Sequence, residues 1–208
     1  MPVFQAAALL QNLRNDVKGL LSAFNTQIVT QSNAVLLQQP APGSWSAAQC
    51  LDHLNGYGNF YLPALEQAIN KAVHNQWNAT PEFRSGWLGN YFTNLMQPKP
   101  DGALKSKMNA PKGHRPAPQL DAPAILAEFI SQQEKMLALL QRAEKVNITR
   151  MRVPTSLSSL LKLNAGDTFR FLIAHQQRHM LQALRAVHSA SGGNQTAVTM
   201  QYLEEQVR

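Results

Sequence analysis

An all-α protein, and within that class a four-helix bundle, is the architecture this sequence predicts. Three observations predict it. The 208-residue chain is 44% hydrophobic and 15% charged, so it can bury one substantial core and carries too little charge for a disordered segment or a long solvated coil. Its apolar residues are mostly aliphatic side chains and alanine, with little of the Val/Ile/Thr alternation that marks strands. Four long stretches repeat their apolar residues every three or four positions, the period of a helix with one buried face.

The first stretch is "FQAAALLQNLRNDVKGLLSAF", where Leu10, Leu13, Val17, Leu20 and Phe24 form the stripe. The pattern predicts a helix running on to about Leu37, ended by the proline and glycine of "QQPAPGSWS". The second helix starts at Ser46. Ser46 and Gln49 have the spacing of a capping box, and the pattern continues to about His74 with Pro63 inside it as an expected kink. Residues 75–122 read as irregular. "SGWLGNYFTNLM" there suggests a short helix with Trp87, Tyr91, Phe92 and Leu95 as its apolar side, followed by a loop rich in proline and lysine. The third helix spans about Ala122–Lys145 on the stripe Leu126, Phe129, Gln133, Met136 and Leu140. The connector "VNITRMRVPTSLSSLLKLNA" suggests one helical turn at its centre. The fourth helix runs from near Gly166 and Asp167 to about His188. "SASGGNQ" stops it, leaving one domain over 1–190 and a C-terminal tail over 191–208.

Composition narrows the function classes. Cys50 is the single cysteine, so no intramolecular disulfide forms, and the usage suits a reducing, cytoplasmic setting. No leader-like segment and no apolar run long enough to span a bilayer is evident, which argues against a membrane partner. The formal net charge is +7, and all of the excess lies in residues 81–208. Those basic residues are scattered singly, without the block expected of a nucleic-acid footprint, so nucleic acid is disfavoured as a partner. An anionic small molecule suits the charge better.

The chemistry concentrates in "FLIAHQQRHMLQAL", Phe171 to Leu184. Leu172, His175, His179 and Ala183 share one helical face, so the two histidines occupy or border core positions with their rings one turn apart. Histidines on such a face are either satisfied core residues or metal ligands. Each buried imidazole nitrogen needs a partner, and a shared cation serves both rings at once. The zinc-protease motif H-E-x-x-H has its general base directly after the first histidine. Here that position is Gln176, which cannot take a proton. A di-iron site needs a glutamate three residues before a histidine, and no histidine here has one. A catalytic zinc-like ion usually takes three protein ligands, so a third must come from another helix. His53 is the best candidate. His74, His114 and His188 are weaker, and Cys50 reads as a small buried hydrophobe before it reads as a soft ligand.

These residues carry a resemblance. "WSAAQCLDHL" on the second helix and "RFLIAHQQRHMLQA" on the fourth resemble the DinB/YfiT-like superfamily, as do "SGWLGNYF", "APKGHRPAP" and "TSLSSLLKLNAGDTFRFLIAHQQRHM". The likeness extends to about residue 188. It implies a four-helix bundle, often a homodimer, with a divalent metal (zinc, nickel or manganese) on His53, His175 and His179. It also implies one of two chemistries: transfer to or through a low-molecular-weight thiol, or metal-dependent hydrolysis. The sequence shows no carboxylate base beside the ligands, which favours the thiol. Tyr57 and Arg178, each one turn from a histidine, and Trp87 are the candidate pocket residues. A non-enzymatic bundle with a structural or vestigial site is the alternative, and a fourth protein ligand such as Cys50 would be its signature.

Overall fold

The computed structural model describes residues 1–104, 110–193 and 198–204. Residues 105–109 of the proline- and lysine-rich loop lie outside them, as do residues 194–197 and 205–208 of the tail. The described chain is predominantly helical, as the composition predicts. In order it comprises strand β1 (Val3–Gln5), helix α1 (Ala6–Ala23), α2 (Asn33–Leu37), α3 (Ala47–His74), strand β2 (Glu82–Arg84), α4 (Trp87–Met96), α5 (Ala122–Ala143), strands β3 (Arg152–Thr155) and β4 (Ser158–Asn164), α6 (Ala165–Ala190) and the single turn α7 (Gln201–Glu204). No helix among them is long and apolar enough to cross a membrane.

The helix starts follow local chemistry. The Ser46 hydroxyl accepts from the Gln49 N–H and the Gln49 side chain accepts from the Ser46 N–H, which completes the expected capping box of α3. Asp121 caps α5, with a proline in its first turn, and Asn164 caps α6 by accepting from the Asp167 N–H at 2.7 Å. Helix α3 continues unbroken through Pro63. The four long helices pack in pairs: α3 lies against both α5 and α6, and so does α1. Leu10, Val17, Leu65, Phe129, Phe169 and Leu184 are among the side chains buried between them.

Three local expectations are corrected. The first helix does not reach Leu37. It passes into a π-helical turn at Phe24–Ile28, breaks, and restarts as α2 under the Ser32 cap. In this stretch the Thr26 hydroxyl donates to the Ser22 carbonyl and the Thr30 hydroxyl to the Thr26 carbonyl, side-chain bonds that compete with a regular ladder. The connector before α6 holds no helical turn but the antiparallel hairpin β3–β4, with a register shift at Pro154/Thr155. Val153 and Thr155 are buried while Arg152 is exposed, the two-residue alternation of a strand with one covered face. In α4 the expected apolar side is split: Trp87 is 70% exposed and Tyr91 51%, Phe92 and Leu95 are half-buried with Phe92 packed on the core, and Gly89 and Thr93 are the buried positions. Gly89 faces α6 so closely that a Cβ there would lie 2.3 Å from the Asp167 Cβ. Close approach of two backbones, invisible to a hydrophobicity pattern, decides which side of α4 is inside.

The N-terminal strand β1 pairs with β2, burying Phe83 beside Phe4. The C-terminal tail is not detached from the helices. Val198 and Leu203 are buried, α7 touches α1, and Arg185 donates to the carbonyls of Gly102 and Val198.

Candidate metal centre

Helices α3 and α6 supply the centre. Residues rising along α3 meet residues falling along α6: His53 lies against His175 and His179, Tyr57 against His175, and Tyr61 against Phe171. The stripe Leu172, His175, His179 and Ala183 therefore turns toward α3, and His53, two turns into α3, completes a group of three. The three imidazoles offer ligand nitrogens that all lie within 4.8 Å of one another. Ring centres are 5.0 Å apart for His53–His175, 4.5 Å for His53–His179 and 4.6 Å for His175–His179. His53 and His175 are buried, and His179 keeps a small exposed fraction. Among the described residues no carboxylate or cysteine joins the group, and Cys50 is buried in the apolar core with its thiol pKa pushed up by burial.

Hydrogen bonds determine which nitrogens point inward. The Nδ1 of His53 lies 2.5 Å from the His114 carbonyl oxygen, which can only accept, so His53 carries its proton on Nδ1 and leaves a lone pair on Nε2. The Nδ1 of His179 donates likewise to Gln182 Oε1 at 3.0 Å, leaving its Nε2 as an acceptor. The Nε2 of His53 stands 3.2 Å from the Nε2 of His175. Two nitrogens bound tetrahedrally to one zinc-like ion, each about 2.0–2.1 Å away, stand about 3.3 Å apart. The pair therefore fits a shared cation. It also fits an N–H···N bond from His175 to His53. In both arrangements the buried Nδ1 of His175 has no hydrogen-bond partner: it is an N–H when Nε2 faces a cation and a bare acceptor when Nε2 donates to His53.

Electrostatics keep the rings neutral. Burial holds His175 well below the usual histidine range, and the neighbouring His179 and His53 add to the effect. Burial, then His53 and Arg178, bring His179 down to about 3. Burial also lowers His53. Neutral imidazoles with inward lone pairs are the protonation state a metal requires.

Of the candidate pocket residues, the structure brings two to the histidines. The Tyr57 ring lies 4.4 Å from His175, 5.0 Å from His53 and 4.3 Å from His114, and burial raises its phenol to about 12, so it keeps its proton at neutral pH. Arg178 is 5% exposed, buried rather than solvated, and its charge disfavours protonation of both His175 and His179. Trp87 is not brought to the histidines. Its ring neighbour is Tyr91 at 6.0 Å, the outer end of a run of rings that passes through Phe92 and Phe171 before reaching His175.

Four partners escaped sequence reasoning. Trp45, 4.9 Å from His53 and 5.7 Å from His179, and Phe171, 5.9 Å from His175, wall the centre. Gln182 was findable, since it stands three residues after His179 on the same helix. The His114 carbonyl was not, because a backbone oxygen from a long loop leaves no mark in residue identities.

Neither the curated proteins nor the solved structures contain a match to this chain. A family model described as the DinB superfamily matches residues 6–183, a span that includes α1, α3, α5, all three histidines and most of α6. With the histidine positions anticipated from its sequence now side by side, the chain belongs to the DinB superfamily.

Proposed function

We propose that this protein is a divalent-metal-dependent enzyme acting on a small molecule, with His53, His175 and His179 as the ligands inside a DinB-like four-helix bundle of α1, α3, α5 and α6. The observation that carries the reading is the convergence of three neutral imidazoles, two with their tautomers set so that Nε2 is left as an acceptor, with no fourth protein ligand among the described residues. Three protein ligands and an open position are the pattern of a catalytic ion; a structural zinc site closes with four. Zinc, nickel and manganese are the candidates, and the all-imidazole donor set suits zinc or nickel best.

An ion held there supplies positive charge that lowers the pKa of a thiol or water brought to it. The chain's own residues do the rest. The His114 carbonyl and Gln182 orient two of the ligands through their Nδ1–H groups, as outer-shell partners commonly do. Trp45, Tyr57 and Phe171 cover the rings and exclude water. Tyr57 keeps a proton on its oxygen that it can donate to a substrate. The charge of Arg178 beside the ligands supports an anionic substrate. The lack of a carboxylate in the group favours transfer to a low-molecular-weight thiol over hydrolysis, because hydrolysis needs a base for water whereas a thiol ionises more readily. The homodimer and the cytoplasmic setting belong to the same reading and rest on the family and on the single cysteine.

A second reading has a specific observation behind it. The His53–His175 contact also makes sense as a hydrogen bond in a packed core of a non-enzymatic bundle. The unpartnered Nδ1 of His175 is common to both readings and does not separate them. Elemental analysis of untagged protein separates the two. The enzyme reading expects near one equivalent of transition metal in the wild type and none in His175→Ala. Absence of metal in both, even after incubation with zinc, nickel and manganese, hands the site to the core reading. If metal is present, a screen of thiols against electrophiles tests the chemistry.

A further inference from the structure

A second site lies at the far end of α3, about 30 Å along the helix axis from His53. There a cleft of about 610 Å³ opens between the β2 segment and the turn before β3, lined by Thr80, Glu82, Arg84, Asn147, Arg150 and Arg152 among others. The cleft is shallow and open to solvent, with Arg84, Arg150 and Arg152 exposed on its rim, so it offers charge and hydrogen bonds rather than enclosure.

The cleft is built on a fixed frame. The Asn147 N–H donates to the Trp77 carbonyl at 2.8 Å, and Asn78 bridges to Val146 beside it. The Asn147 side chain then accepts from the N–H groups of Thr149 and Arg150 at 3.1 and 3.0 Å, which holds the turn that presents the arginines. The Arg150 guanidinium lies 4.3 Å from the centre of the Trp77 ring, and Arg152 donates to the Thr149 carbonyl at 2.8 Å. Each guanidinium is thus held by one contact and has N–H groups left over.

The charge is unbalanced. Glu82 is the one carboxylate in the lining. It stands 3.8 Å from Arg84 with both side chains more than half exposed, a weak pairing in water. Among the described residues neither Arg150 nor Arg152 has a carboxylate within ion-pair distance. Three guanidinium groups gathered around one concavity draw anions to it, and each can take a phosphoryl group through two parallel hydrogen bonds.

We infer that this cleft binds a small phosphorylated molecule carrying at least two anionic groups, a diphosphate, at a site independent of the histidine centre. Calorimetric titration of the full chain with pyrophosphate tests it, with inorganic phosphate and ADP as further arms. One pyrophosphate site is expected, weakening as salt is raised, with inorganic phosphate bound more weakly. Arg150→Ala and Arg152→Ala should each raise the Kd about tenfold. Arg150→Lys keeps the charge but loses the planar fork, so it should fall between wild type and alanine. His175→Ala should bind as the wild type does. ADP binding tighter than pyrophosphate assigns the ligand to the nucleotides, and equal binding assigns it to unsubstituted phosphates. The inference is overturned by wild-type protein that takes up no pyrophosphate at millimolar concentration, or by arginine variants that bind it unchanged. It is overturned equally by a single-stranded oligonucleotide that binds through these arginines while pyrophosphate does not.

Discussion

Acid should unfold the metal-free protein through its histidines, and His179 offers the cleanest measure. Burial, with His53 and Arg178 nearby, brings this ring from 6.5 down to about 3 in the folded state. In the unfolded chain it titrates near its ordinary value. Between about pH 6.5 and 3 the unfolded state therefore binds one more proton than the folded state at this position, and stability falls as pH falls. The contribution is fully present above the unfolded pKa and is lost progressively toward the folded one. Integrating those two values, the loss between pH 7 and pH 5 is about 2 kcal/mol. The variant His179→Gln carries no titrating ring and keeps an amide that can meet Gln182. Urea unfolding of both proteins in chelator, from pH 7 to pH 5, singles out His179, because groups away from it enter both curves alike and His175, whose lowering His179 reinforces, is held down first by burial. The wild-type midpoint should move down relative to the variant by about 1 M, taking a slope of about 2 kcal/mol per molar urea. Asp16 does not interfere: burial and Glu204 raise it to about 6, so it acts in the opposite sense, but equally in both proteins. Midpoints that track each other across this range would refute the claim that His179 is buried neutral against its neighbours.

Three further outcomes test other parts of the structure. Zinc or nickel at a hundredfold excess over its Kd should stabilise the wild type by about 2.7 kcal/mol, a rise in Tm of about 6 °C for a chain of this size, whereas His53→Ala should show no rise in differential scanning calorimetry. Asp167→Ala should cost about 3–5 kcal/mol in urea unfolding, because this carboxylate is 1% exposed and accepts from the Ser85 hydroxyl at 2.5 Å, the Gly86 N–H at 2.7 Å and Arg170 at 2.9 Å; a loss under about 1 kcal/mol would show that the β2–α4 segment docks on α6 without it. Gly89→Ala should destabilise by about 1–3 kcal/mol, since its Cβ meets the Asp167 side chain, and unchanged thermal unfolding would mean that α4 can slide away from α6 at no cost.

What the sequence alone determined is what local chemistry and helical periodicity can encode. The capping box at Ser46 and Gln49 marks the start of α3 to the residue, and the spacing of Leu172, His175, His179 and Ala183 puts two histidines on one buried face. Placing His53 with them drew on spacing and on a family likeness together. Tertiary structure decided the rest. The outward turn of Trp87 and Tyr91 depends on how close Gly89 comes to Asp167, a distance between elements about 80 residues apart. The hairpin before α6 overrides a segment with no strong period of its own, because strand pairing is a non-local contact that a window of residues cannot contain. The His114 carbonyl that sets the tautomer of His53 is a backbone group, the same in every residue type, and only its position in space gives it a role. The arginine cleft is of the same kind: Arg84 and Arg152 look like scattered surface charges along the chain, and folding alone sets them around one concavity.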